Sequence, residues 1–97
     1  MYATLRQSAG IAPAAFDTLL SHRAEVEALI RQTPGFLHYD LVRTPDGMTS
    51  VTVCKDQAGT EDSNTKVAAW ITANLPTWGS VKPTITAGEA VFHFVAK

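Results

Sequence analysis

The chain has 97 residues, a formal net charge of −1 and a single cysteine, which fits one domain (residues 1–97) and leaves no room for a second hydrophobic core. The near-zero charge argues against a nucleic-acid partner, and one cysteine excludes an intrachain disulfide framework and a multi-cysteine metal site. No apolar run approaches the ~20 residues that span a bilayer, and the N-terminal residues lack the pattern of a signal peptide, so we expect a cytoplasmic protein without membrane contact.

A short strand and a long helix are predicted at the start of the chain. Residues Tyr2 to Ser8 alternate as in a strand, and Ala9-Gly10 interrupts the pattern. Pro13 suits the first turn of a helix, and apolar residues at helical spacing extend that helix to Gln32. Thr33-Pro34-Gly35 ends it, because the residue before a proline disfavours the helical conformation.

The segment from Pro34 to Asp56 predicts two strands joined by a tight turn. Pro45 presets the backbone for the turn, and Gly47 can take the positive φ that a three-residue bulged loop requires. Thr44 then faces Met48, and the register outward from them predicts four opposed pairs: Leu41 and Val51, Tyr39 and Val53, Asp40 and Thr52, His38 and Cys54. Because side chains alternate between faces, the hairpin has one apolar side and one mixed side.

A second helix and a last strand complete the predicted elements. Thr60 is a plausible N-cap, an apolar stripe follows at helical spacing, and Pro76 ends the helix. After a loop that holds Trp78, an alternating segment from Thr84 or Ile85 to Val95 predicts the final strand. Gly88 marks a bulge or bend in that strand.

The order β-α-β-β-α-β predicts an α+β, ferredoxin-like fold. Two right-handed crossovers interleave only when the first and third strands are central. The expected architecture is therefore a four-stranded antiparallel sheet of order 4-1-3-2, with two helices on one face.

The second face of this sheet is bare, which predicts a partner. The register assigns five residues to the helix-covered face: Leu5, Tyr39, Leu41, Val51 and Val53. The bare face receives a mixed set: Tyr2, Thr4, Arg6, Phe36, His38, Asp40, Val42, Ser50, Thr52 and Cys54. That set is too apolar for water and too polar for a core, so we expect a homodimer that encloses a ligand cavity.

Three segments carry a resemblance to a known family: Pro34-Gly35-Phe36, Leu41-Val42-Arg43 with its turn Pro45-Asp46-Gly47, and the late strand Ala90-Val91-Phe92-His93-Phe94. In these the chain resembles the dimeric α/β-barrel group that includes the antibiotic-biosynthesis monooxygenase-like proteins. The resemblance implies two sheets facing each other across a barrel, and a pocket between sheet and helices in each subunit. It also implies small-molecule chemistry, which in quinol-oxidising members needs neither metal nor flavin. Haem-degrading members use a histidine on the second helix, and this helix has none, so we expect no cofactor.

Candidate site residues come mainly from the mixed face. His38 and Asp40 share a face, and a carboxylate can orient an imidazole as a general base; the alternative is a solvated pair at the rim. Arg6 or Thr4 would anchor the substrate. Four further residues complete the predicted ligand-binding set: Thr52, Cys54, His93 and Trp78.

Several of these assignments leave alternatives open. Cys54 is either a nucleophile or a small apolar filler. Either His93 or the Phe92/Phe94 pair would face the cavity, and Trp78 would cover a pocket or contact the partner subunit. The histidines and carboxylates show no metal-ligand spacing.

Three functions fit the sequence. The first is a cofactor-independent monooxygenase acting on an aromatic or quinol substrate. The second is a non-catalytic ligand-binding protein of the same fold, and the third is a stress-related or scaffold protein whose dimer surface is its purpose. A pocket of several hundred cubic ångströms with convergent polar groups would favour the first two.

Overall fold

A computed structural model of the chain describes residues 1–11, 13–75 and 83–96. The elements in chain order are β1 (Tyr2–Ala9), α1 (Pro13–Ser21), α2 (Arg23–Arg31), β2 (Phe36–Thr44), β3 (Gly47–Cys54), α3 (Gln57–Asn74) and β4 (Thr84–Glu89). The strands form one antiparallel sheet in the order β2-β3-β1-β4. The predicted ferredoxin-like fold and its strand order are therefore confirmed.

The long first helix predicted from Pro13 to Gln32 is divided in two at His22. The His22 amide donates to the carbonyl of Leu19, three residues back, at 3.0 Å, and α2 begins at Arg23. Neither glycine nor proline marks this break, so the sequence pattern did not predict it. Because of the break, each short helix buries its own apolar residues, Phe16 and Leu19 on α1 and Ile30 on α2.

Helix α3 begins earlier than the predicted N-cap at Thr60. Asp56 is the N-cap, and its Oδ1 accepts a hydrogen bond from the Gly59 amide at 3.1 Å. Gly59 itself is pressed against the sheet, because a Cβ atom there would lie 2.5 Å from the Pro34 carbonyl oxygen and 2.9 Å from the Cβ of Cys54. The start of α3 is thus fixed by this close approach as well as by its cap.

The hairpin between β2 and β3 has a two-residue turn, so the predicted register is wrong by one residue. Thr44 pairs with Gly47, Leu41 lies opposite Ser50, and Asp40 lies opposite Val51. Gly47 does not adopt a positive φ; it pairs with Ala9 of β1, where a Cβ atom would lie 1.8 Å from the Ser8 carbonyl oxygen. The glycine is required by the neighbouring strand and not by the loop.

The faces of the two central strands are the reverse of the prediction. Alternate residues of β1 and β3 are buried beneath the helices: Thr4, Arg6, Ser8, Met48, Ser50, Thr52 and Cys54. The predicted assignment of Leu5, Val51 and Val53 to the helix-covered face is therefore wrong, since they alternate with these residues. On β2, Tyr39 and Leu41 face the helices as predicted, while His38, Asp40 and Val42 lie on the open face, again as predicted. Phe36 was assigned to the open face but contributes to the cavity beneath the helices.

The apolar core lies between the helices and this face of the sheet. Its buried members are Phe16, Leu19, Met48 and Leu75, and Val26, Leu41, Trp70 and Ile71 are among the partly buried residues packed against them. In the described ranges, no helix has the length and apolar character needed to cross a membrane.

The last strand is shorter than predicted. β4 ends at Glu89, and Gly88 pairs with Ala3 without a shift in register, so it marks no bulge. Residues 90–96, here called the C-terminal segment, continue beyond the sheet with four large apolar side chains exposed by 73–87%: Val91, Phe92, Phe94 and Val95. The predicted helix end at Pro76 and the loop residue Trp78 lie outside the described residues.

Candidate functional site

A cavity of about 940 Å³ lies between the helix-covered face of the sheet and the three helices. Its apolar walls come mainly from the helices, through residues such as Phe16, Leu19, Val26, Val67, Trp70 and Ile71. Polar side chains enter it from the sheet and from α3. A large apolar cavity with a few converging polar groups is typical of a small-molecule site. The cavity is on the opposite side of the sheet from the predicted dimer cavity, and it corresponds to the pocket that the family resemblance implied.

Arg6 brings a positive charge to the sheet side of this cavity. It lies on β1 between Ser50 of β3 and Ile85 of β4, and only 8% of the residue is exposed. Its Nη1 donates to the backbone carbonyl of Asn64 at 3.2 Å, and no described carboxylate lies within 4 Å of the guanidinium. Burial lowers the pKa of Arg6, and the nearby Tyr39 opposes that shift.

Tyr39 reaches the same region from β2. Burial raises the pKa of Tyr39 above its ordinary value, while the Ser50 hydroxyl and the Arg6 guanidinium act in the opposite direction. The phenol therefore stays protonated at neutral pH and can donate a hydrogen bond. Ser50, opposite Arg6 on β3, adds a second hydroxyl to the cavity lining.

Asn64 completes the polar group from α3. Its Nδ2 donates to Thr4 Oγ1 at 3.0 Å, which fixes the side chain against β1. Its Oδ1 is buried and has no hydrogen-bond partner among the described residues. Arg6, Tyr39, Ser50 and Asn64, here called the polar cluster, thus offer one cation, two hydroxyl groups and one unused acceptor.

His38 and Asp40 come together as predicted, but on the other side of the sheet from the polar cluster. His38 Nε2 lies 2.6 Å from Asp40 Oδ2, and the two side chains are 53% and 59% exposed. Asp40 also contributes to the cavity lining, whereas His38 does not. The pair is therefore a solvated feature at the edge strand.

The remaining predicted site residues are distributed elsewhere. Thr4 supports Asn64 from behind, and Thr52 and Cys54 are buried outside the cavity lining. Burial raises the pKa of the Cys54 thiol, and the charges of Asp56 and Asp62 raise it further, which favours the filler interpretation over the nucleophile. His93 is exposed in the C-terminal segment, and Trp78 lies outside the described residues.

The donor set around the cavity does not suit a metal or a haem group. No histidine or cysteine contributes to the described lining, and α3 carries no histidine. Within residues 1–11, 13–75 and 83–96, no three metal-binding side chains come close enough to hold an ion. Haem ligation by histidine has no candidate there.

Neither a family model nor a curated protein matches the sequence. Solved structures do match. An antibiotic biosynthesis monooxygenase aligns over 94% of this chain and 99% of its own, with a TM-score of 0.69 and 20% identity. The chain has the fold of the antibiotic-biosynthesis monooxygenase-like proteins. The family resemblance recognised in the sequence is confirmed at the level of fold.

Three other similar structures are a dimeric protein, an oxygenase and a porphyrin complex. A dimeric ferredoxin-like protein from an uncultured marine organism has a TM-score of 0.68 at 9% identity, covering 98% of each chain. A point mutant of SnoaB, a cofactor-independent oxygenase from Streptomyces nogalater, has a TM-score of 0.63 at 17% identity, over 95% of this chain and 93% of its own. A point mutant of MhuD, with two manganese protoporphyrin IX molecules per active site, has a TM-score of 0.73 at 16% identity, over 99% and 100%. A likeness at such identities concerns the fold alone.

Three cavity residues were absent from the predicted site: Tyr39, Ser50 and Asn64. Tyr39 had been assigned to the helix-covered face, but only as a packing residue. Asn64 shares a helix face with Val67 and Ile71, three and seven residues further on. A polar residue that continues an apolar stripe is a sequence signal for a cavity, and it was available before the structure.

Proposed function

We propose that this protein binds an aromatic small molecule in the cavity beside its helices and oxidises it with molecular oxygen, without a cofactor. The observation that carries the proposal is the cavity itself, whose apolar walls surround the polar cluster. The monooxygenases among the structures of the same fold, one of them cofactor-independent, support the reaction class by analogy.

The proposed reaction converts a ring CH₂ group, or its enol, into a ketone. The substrate loses a proton, its anion gives electrons to oxygen, and a C–O bond forms. One oxygen atom remains in the product as the ketone and the other leaves as water, so O₂ takes the four electrons that the substrate loses. The groups that the protein must supply are an anion stabiliser and a base.

Arg6 is the proposed anion stabiliser, because it brings a full positive charge to the cavity. The Asp40–His38 pair is the proposed base: its side chains alternate towards the open face, but β2 is the edge strand of the sheet, and there Asp40 also borders the cavity. Asp40 contributes to the cavity lining, and the imidazole bound to it is open to water, which can carry the proton away. Thr4 is proposed to position Asn64 and not to touch the substrate.

We further propose a homodimer formed through the open face of the sheet. Val42 on that face is 50% exposed, and the C-terminal segment adds four large apolar side chains. Exposed apolar surface of this extent is expected to be covered, and a second copy of the chain covers both features at once. The dimeric neighbour of the same fold supports this assembly. Light scattering should give about twice the chain mass of 10.4 kDa, and a monomer at micromolar concentration would contradict it. A location in the cytoplasm stays a prediction from the sequence.

Oxygen consumption with a panel of anthrones and hydroquinones tests the reaction. We expect turnover with at least one member, and a lower rate with unchanged substrate affinity for Asp40→Asn and His38→Ala. Saturable binding without oxygen uptake would instead identify a non-catalytic ligand-binding protein. Absence of both would contradict the proposal, leaving the scaffold role.

A further inference from the structure

We infer that the ligand of the cavity is an anion: a ring-containing apolar molecule with a negatively charged oxygen group that binds Arg6. This inference rests on the proposed function, since it assumes that the cavity holds a small molecule. It goes further because the ligand already carries its negative charge when it enters the cavity, and Arg6 selects for that charge.

The first argument is the state of Arg6. A guanidinium stays protonated at any pH that a folded protein tolerates, so its burial cannot be relieved by loss of a proton. Buried charges in proteins are paired, because removing an ion from water is costly unless an opposite charge replaces the lost hydration. Arg6 has five N–H donors, and its single hydrogen bond to a described residue goes to a neutral carbonyl, that of Asn64.

The second argument is how the chain treats its other charges. Three other cations each have a carboxylate partner within 4 Å: Arg31 with Glu27, Arg43 with Asp17, and Lys66 with Asp62. Arg23, at the cavity, and Lys55 have none among the described residues, but both are exposed and can be hydrated by water. Glu27 and Asp40 contribute to the cavity lining, yet their carboxylates bind Arg31 and His38. The most buried cation in the described part of the chain thus faces the cavity without a described carboxylate, so an anionic ligand is the counter-ion that the cavity can supply.

The third argument is the arrangement around the charge. Tyr39 is held in its protonated form and can donate to an anionic oxygen beside Arg6, with Ser50 close by. Asn64 also lines the cavity, and its buried Oδ1 has no described partner. An anionic oxygen on an apolar ring system would bind Arg6 and Tyr39, while Phe16 and Trp70 contact the rings.

Two fluorescent dyes test the inference on the intact protein. 8-Anilinonaphthalene-1-sulfonate and N-phenyl-1-naphthylamine share the same rings, and only the first carries a negative charge. A cavity that recognised apolar surface alone would prefer the neutral dye, which is the less soluble in water. We expect the wild-type protein to bind the anionic dye at least as tightly as the neutral one.

Substitution of Arg6 tests whether this residue causes the preference for the anionic dye. Arg6→Met should weaken binding of the anionic dye by about 10- to 100-fold, the usual effect of losing a hydrogen bond to a charged group, and should leave the neutral dye within about threefold. Lys55→Met is the matched control, because it removes the same charge from an exposed position outside the cavity lining and should change neither affinity. If Arg6→Met does not fold, Arg6→Gln takes its place, and the wild-type preference itself needs no variant.

The outcomes separate this inference from the proposed function. If the neutral dye binds with clear preference and Arg6→Met affects both dyes equally, the cavity is a ligand site but the anion inference is wrong. If neither dye binds the wild-type protein, the cavity does not hold ring compounds and the proposed function falls with the inference. Equal loss of the anionic dye in Lys55→Met would also overturn it, because the effect would then be net charge alone.

Discussion

The two faces of the sheet differ in a way that reverses the usual relation between polarity and burial. The helix-covered face buries Thr4, Arg6, Ser50 and Thr52, while on the open face Val42 is 50% exposed. The covered face carries polar residues because it borders a cavity as well as the apolar core. The open face carries Leu5, Val42 and Val51 because, as proposed above, it is a contact surface. Whether a residue of the sheet is buried therefore depends on what its face contacts, and not on how polar its side chain is.

Truncation of Met48 tests the packing side of this comparison and should have the largest effect. Met48 is 9% exposed and belongs to the core, so Met48→Ala should lower the free energy of unfolding by about 2–5 kcal/mol. Val42→Ala on the open face is the control and should cost less than about 1 kcal/mol in the monomer. Urea unfolding at low protein concentration measures both. Equal losses would mean that the two faces are packed alike.

Removal of the C-terminal segment tests the contact side. A chain that ends after Ala90 keeps the hydrogen bond from the Ala90 amide to the Met1 carbonyl but loses the exposed side chains of residues 91–95. We expect its dimer dissociation constant to rise by about 10- to 100-fold, because one or two large apolar anchors usually dominate an interface. Sedimentation equilibrium measures this constant, and the double substitution Phe92→Ser and Phe94→Ser should give most of the same effect. An unchanged constant would remove the segment from the interface.

Arg6→Met sharpens the comparison, because its effect on stability should have the opposite sign to that of Met48→Ala. Replacement of an unpaired buried cation by an apolar side chain removes a desolvation cost, so the apo protein should gain about 1 kcal/mol in the free energy of unfolding. Thermal and urea unfolding without ligand measure the gain. A loss of several kcal/mol would show that Arg6 supports the fold, contrary to its assignment to the ligand.

The smallest predicted effect is a decline in stability at alkaline pH. The pKa values of Cys54 and Tyr39 are raised above their ordinary values of 9.0 and 10.0, so the folded state keeps protons that the unfolded chain releases. Their contribution is fully present below about pH 9 and is lost as pH rises from there through the folded pKa values. The slope should approach but not exceed about 1.4 kcal/mol per pH unit for each group. Cys54→Ala should flatten the part that begins near pH 9, and an unchanged curve would contradict the raised pKa of that thiol.

Much of the fold followed from the sequence because it depends on local signals and on handedness. The order of elements came from periodicity and turn residues, and the strand order came from the geometry of two right-handed crossovers. The predicted hairpin register is wrong because it assumes that Gly47 is needed for a positive φ in the turn. The actual constraint is the Ser8 carbonyl on another strand, which no local pattern contains.

The site was harder to predict for a related reason. Apolar residues such as Leu5 and Val51 were assigned to the helices on the assumption that helices cover a solid core. Because a cavity occupies part of the space beneath the helices, polar residues of β1 and β3 face the helices, and the predicted faces of these strands are wrong. Arg6, predicted to anchor the substrate, lines a cavity, but this cavity is on the other side of the sheet from the predicted one. The polar Asn64 on an apolar stripe was the clue that would have corrected the assignment.

The packing of Gly59 onto Cys54 has a consequence for how the molecule can be observed. The cysteine is fully buried beneath α3, and its thiol is held in the unreactive protonated form. A thiol reagent can reach this sulfur only when α3 separates from the sheet. The rate of alkylation of the native protein therefore measures how often α3 separates from the sheet. The measurement reports on one site, because the sequence holds no other cysteine. Any ligand that contacts both Arg6 on β1 and Asn64 on α3 should hold the helix against the sheet and lower the alkylation rate of Cys54.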